Sequence, residues 1–244
     1  IFFIFRIILY NTAMNQFTNA WAFFFKNWKV LLPVSAPLLF FIFLAIFYLS
    51  PQITPLLMAG QYDLINEFFE NNKTNISIID VCFDLIFIAF IGALNIQFYN
   101  LTINNKPLKI FNIYSKSFSK ILWLFVASFL SSLLIGVGFL LLVFPGIYLF
   151  ARFSLFPIYI VIEDQGPISA LKLSWENTDE YGGQLFSQTL LFFISMLLVM
   201  ALSSILFSFL DTAAITILIF LEMSIFCIVL CYLYFSLYKA IKNL

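Results

Sequence analysis

The sequence predicts an all-α fold, a polytopic bundle of about six membrane-spanning helices with two or three amphipathic interfacial helices. Three observations predict it. The chain of 244 residues is 63% hydrophobic and 10% charged, whereas a soluble domain is about 45–50% apolar and about 25% charged. Its apolar runs reach the roughly 20 residues that a helix, rising 1.5 Å per residue, needs to cross about 30 Å of hydrocarbon. Its lysines gather on alternate loops. Backbone groups left unpaired in lipid are too costly for such runs to be anything but helical.

The elements follow in chain order. Residues 1–13 read as translated upstream sequence with Met14 as the start, or else as an N-terminal arm, and 14–244 as a single membrane domain. Phe17, Trp21, Phe24, Phe25 and Trp28 recur at spacings of three and four, with Lys26 and Lys29 on other faces. That predicts an interfacial helix, rings inward. The spans are expected near 30–50, 77–98, 119–144, 146–163, 184–209 and 213–238, the fourth interrupted by Pro157. Pro145 and Gly146 form the expected turn of a helical hairpin. The loop after Pro51 and Pro55 predicts a short amphipathic helix. Loop 99–118 reads as polar and basic. Leu171, Ser174 and Trp175 mark another interfacial helix, opened by Pro167 at a first-turn position.

With the N-terminus inside, Arg6, Lys26, Lys29, Lys106, Lys109, Lys116, Lys120, Lys172, Lys239 and Lys242 share one side, and Lys73 alone holds the loops of the other. Basic excess marks the cytoplasmic side, so both termini are expected there. A five-span reading would put Lys239 and Lys242 on the wrong side. Abundant Lys, Asn, Ile and Phe suggest a bacterial source, hence an inner-membrane location.

Composition also bounds function. Lys and Arg number 12 against 12 Asp and Glu, so no basic surplus exists for nucleic acid. The sequence holds no His, the commonest general base and metal ligand. No nucleophile constellation, glycine-rich phosphate loop or metal-ligand spacing is visible, and no cofactor or metal is expected. The reading is non-enzymatic, with membrane lipids or other membrane proteins as partners.

Buried charge is the most informative remaining signal. Arg152 lies about 9 Å into its span, Asp84 about 10 Å and Glu222 about 13 Å, all from the outer face, with Asp80 one turn above Asp84. Similar depth predicts one cluster. It is either an ion or proton site, as in a small transporter, or a structural ion pair that fixes helix packing. Ser128, Ser132 and Gly136 form a small-residue stripe expected to allow close helix contact. Cys227 and Cys231 read as small apolar residues. Asn95, Gln97, Ser187, Gln188 and Ser195 are polar groups expected to bond between helices.

The segment Pro145-Gly146-Ile147, then Arg152-Phe153, Pro157, Glu163-Asp164-Gln165-Gly166-Pro167 and Ala170-Leu171-Lys172-Leu173-Ser174-Trp175 resembles the YciC-like family of bacterial inner-membrane proteins. The likeness extends more loosely from Met14 to the C-terminus. It implies a polytopic inner-membrane protein and brings no established substrate, reaction or cofactor.

Overall fold

The computed structural model describes the backbone of residues 2–244 and the side chains of residues 14–244. The two readings of residues 1–13 fall outside those side chains. Every element is helical. Among the described residues, six segments are long and apolar enough to cross a membrane: Met14–Met58, Lys73–Thr102, Ile121–Leu141, Val143–Glu163, Gly182–Leu206 and Thr212–Lys242.

The first of these is two helices. α1 (Phe2–Leu31) meets α2 (Ala36–Met58) through a 3-10 turn, Leu32–Ser35, with Pro33 at its start. Phe17 and Trp21 turn inward onto Phe192, and Trp21 onto Phe226. Phe25 and Trp28, expected inside, are exposed. α2 also runs on past Pro51 and Pro55, which were expected to open a loop. Each proline removes one ladder hydrogen bond, while the hydroxyls of Ser50 and Thr54 bond to each other across the interrupted turn. The expected amphipathic helix follows as α3 (Tyr62–Asn71).

α4 (Lys73–Thr102) is buried along nearly every residue from Ala89 to Phe98. α5 (Ile110–Phe118) arises inside the stretch read as a polar loop. α6 (Ile121–Leu141) and α7 (Val143–Arg152) form an antiparallel hairpin whose only linking residue is Leu142, in extended conformation. The expected turn at Pro145-Gly146 is thus displaced by three residues. Pro145 sits in the first turn of α7, where its missing N–H has no partner to lose. Gly146 lies where a Cβ would collide with the Phe139 ring. The small-residue stripe is displaced as well. Ser132 and Gly136 are exposed, and the buried face of α6 is Leu124, Ala127, Ser131 and Gly138.

Phe153–Leu155 separate α7 from α8 (Phe156–Glu163); α9 (Pro167–Asn177), α10 (Gly182–Leu206) and α11 (Thr212–Lys242) complete the chain. The N-terminus of α11 is capped by Asp211, whose Oδ1 accepts from the Ala214 N–H at 2.7 Å. Lys120 pairs with Asp164, and Lys242 Nζ lies 2.8 Å from Glu163 Oε1. The start of α6 and the ends of α8 and α11 therefore share one end of the molecule. Large apolar side chains at the other end and along the sides face outward: Phe47, Leu140 and Phe209 are 73%, 88% and 78% exposed. Such a belt is an aggregation site in water and an ordinary outer surface in lipid.

Two short helices fold back against the helix that precedes them. In α5, Ile113, Tyr114 and Ser117 are buried; in α9 the equivalents are Ala170, Leu171 and Ser174. The spacing i, i+1, i+4 is the same, and so is the serine's task. Ser117 Oγ donates to Ala89 O of α4 at 2.8 Å, and Ser174 Oγ donates to Arg152 O of α7 at 2.8 Å. The chain thus uses one joint twice: a long helix, a short returning helix anchored by a buried serine, then the next span.

Candidate functional site

The second joint holds the buried arginine. Pro157 lacks an N–H, and its ring would strike the carbonyl of Phe153 in a continuous helix. The helix therefore stops at Arg152, and the Phe156 N–H turns to Phe153 O at 3.3 Å. Arg152 O, deprived of that donor, receives the hydroxyl of Ser174 of α9 at 2.8 Å, and the Thr178 hydroxyl, which donates to Ser174 O at 2.7 Å, lies 3.3 Å away. Ser174 Oγ also accepts the Leu155 N–H at 3.1 Å.

The arginine side chain returns the favour at the far end of α9. Its Nη2 donates to Trp175 O at 2.6 Å and to Asp179 Oδ1 at 3.0 Å. Nη1 reaches the Tyr148 hydroxyl at 3.3 Å and Asp179 O at 3.5 Å. The last carbonyls of a helix lack internal donors and carry partial negative charge, so a cation there is favoured twice, by hydrogen bonding and by the dipole. The guanidinium carbon also stands 4.2 Å from the Trp175 ring centroid, a cation–π distance. The Arg152 side chain is 1% exposed, whereas Asp179 is 79% exposed. Gly182 provides the room, because a Cβ there would come within 3.0 Å of both Arg152 Nη1 and the Tyr148 hydroxyl. Only Nε lacks a hydrogen-bond partner among the described residues.

The expected cluster is not assembled this way. Asp84 and Asp80 are exposed on α4, and Glu222 accepts from Ser203 Oγ at 2.9 Å, between α11 and α10. The physical reason is the fold-back. Equal depth brings charges together only along straight spans, whereas the break at residues 153–155 lets the turn after α9 bring Asp179 to the arginine. Leu171 and Ser174, expected at an interface, are buried against the bundle, while Trp175 is partly exposed and covers the guanidinium. Pro145 and Gly146 belong to the α6–α7 hairpin and make no part of this clasp.

Other polar groups close contacts between helices. Gln97 holds the turn into α5, giving Nε2 to Leu108 O at 3.3 Å and accepting the Leu108 N–H at 3.1 Å. The side chains of Gln184 and Gln188 both bond to Gln16. Tyr114 donates to Val34 O at 2.7 Å, and burial pushes its hydroxyl above the ordinary tyrosine range, so it stays a neutral donor. Two apolar grooves, of about 440 and 300 Å³, open along α2 beside Ala213 and Ile217 and beside Asn75 and Ile78; neither is lined by Arg152, Asp179 or Glu222.

The functional residues missed in the sequence are Asp179, Thr178 and Ser117, whereas Gln97 was among the polar groups expected to make such bonds. Ser117 had a legible signal, since Ile113, Tyr114 and Ser117 repeat the spacing of Ala170, Leu171 and Ser174.

Residues 73–239 match an uncharacterised protein family, UPF0259, and the chain belongs to it. The matched stretch contains both joints. No curated protein and no solved structure matches the chain.

Proposed function

We propose that this member of the family is a multi-pass component of the bacterial inner membrane, both termini cytoplasmic, that works without catalysis through contacts with lipid or other membrane proteins. One observation carries the reading. The buried arginine, the strongest candidate for chemistry, is committed to the protein's own helix ends: two carbonyls, a carboxylate, a tyrosine hydroxyl and an indole ring. A transport reading would need Arg152 to face Asp84 and Glu222, and each of these has different surroundings. The lysine distribution supports the orientation, and the Pro145–Trp175 segment supports the narrower likeness to the YciC-like proteins.

Two experiments test this. Reporter fusions at residues 60 and 110 should report outside and inside respectively; the same side for both would overturn the topology. Proteoliposomes of the parent should neither pass protons or small solutes nor alter their lipids chemically. A flux abolished by Arg152→Leu in a folded protein would replace this reading with transport.

A further inference from the structure

The charge of the described side chains is strongly polarised. Asp63, Glu67, Glu70, Asp80, Asp84 and Asp211 lie toward the end that carries α3, where Lys73 is the one cation. At the opposite end, the carboxylates of Glu163 and Asp164 are already engaged by Lys242 and Lys120, and Asp179 by Arg152. Lys26, Lys29, Lys106, Lys109 and Lys116 have no carboxylate within 4.0 Å among the described residues, and all are exposed.

Four of these lysines, Lys26, Lys29, Lys109 and Lys116, lie on or beside two elements that the fold ties together. α5 is anchored to the α1–α2 turn by the Tyr114 hydroxyl on Val34 O. That bond joins α5, which carries Lys116 and is preceded by Lys109, to the turn that follows Lys26 and Lys29 of α1, and the junction is the α1–α5 corner. The same corner shows apolar rings: Phe111 is 81% exposed, and Phe25, Trp28 and Phe118 are also exposed. Lys29 Nζ sits 5.9 Å from the Trp28 ring centroid. Cations that have no internal partner, interleaved with exposed aromatic rings, match the two parts of a lipid at the headgroup boundary: an anionic phosphate and the first methylenes of its chains. The corresponding face of α9 differs. Glu176 of α9 and Asp179 and Glu180 of the turn after it are exposed beside Lys172, a balance that an anionic surface does not attract.

Resting on the lipid-contact reading above, we infer that the α1–α5 corner binds the anionic headgroups of inner-leaflet phospholipids, with α9 turned toward water or protein. Each lysine near an anionic surface is worth roughly fivefold in affinity, so four acting together give marked headgroup selectivity, weakened by salt.

The test uses the full chain in phosphatidylcholine vesicles, with tryptophan fluorescence quenched by brominated phosphatidylglycerol or, in parallel, brominated phosphatidylcholine. The parent should prefer the anionic lipid by about tenfold or more. The combined variant Lys26→Gln, Lys29→Gln, Lys109→Gln, Lys116→Gln should fall close to no preference, while Lys73→Gln keeps the parent's ratio. No preference in the parent, or an unchanged ratio in the fourfold variant, overturns the inference. So does competition by soluble glycerol phosphate, which would make the corner a site for a free phosphate compound. Solute flux or lipid turnover in the same vesicles would defeat the non-catalytic reading and leave the selectivity ratio as it is, so the two failures are told apart.

Discussion

The joints at α5 and α9 perform the same mechanical task by different chemistry. At α5 the preceding helix is unbroken, its ladder bonds are made, and Ser117 adds one further donor to a carbonyl that already has a partner. Close approach does the rest. A Cβ on Gly92 would collide with Ser117 Oγ and lie 3.1 Å from Leu124 Cδ1. At α9 the preceding helix is broken ahead of Pro157, so Ser174 supplies the donor that the backbone no longer can. The arginine completes the exchange from the other side. An unbroken helix can be joined by packing alone; a broken one requires polar groups that satisfy its orphaned carbonyls.

That contrast can be tested by substitution, starting from the largest expected effect. Arg152→Ala removes a fully buried side chain and takes from Trp175 O its closest donor, which should cost about 2–5 kcal/mol. The midpoint of detergent-micelle unfolding would show it, with lower abundance in the membrane. Ser174→Ala orphans both Arg152 O in part and the Leu155 N–H, for a loss of about 2–3 kcal/mol. Ser117→Ala should cost about 1 kcal/mol, and equal losses for the two serines would break the comparison. Gly92→Ala should destabilise by about 1–3 kcal/mol through overpacking. Gly136→Ala, with open space around it, should stabilise α6 by up to about 1 kcal/mol through helix propensity. Lys120→Gln, at a pair with a largely exposed aspartate, should shift the same midpoint by about 1 kcal/mol or less.

The spans were legible because an apolar run of that length has few alternatives in lipid. The start of α9 was legible too, since Pro167 has one natural place, the first helical turn. Other features were hidden for identifiable reasons. α5 lay among Lys106, Lys109, Lys116 and Lys120, whose charge masked the spacing of Ile113, Tyr114 and Ser117. α2 outran Pro51 because a proline weakens a helix without always ending it. The partner of Arg152 was hidden because depth along a straight rod does not record where the chain folds back. Asp179 follows Arg152 by 27 positions, and only the break ahead of Pro157 together with the return of α9 brings it across. Buried polar groups pair by the path of the chain, and composition does not record that path.

The contacts at Glu163 have an order in time. Its carboxylate is held by Tyr238 and Lys242, at the very end of α11, while the neighbouring Asp164 is held by Lys120, made much earlier. During synthesis on a ribosome, the Asp164 latch is free to close as soon as the α6–α8 hairpin has entered the membrane. The Glu163 latch must wait until Tyr238 and Lys242 have been made. A chain cut ahead of Tyr238 therefore keeps the Asp164 latch and loses both partners of Glu163.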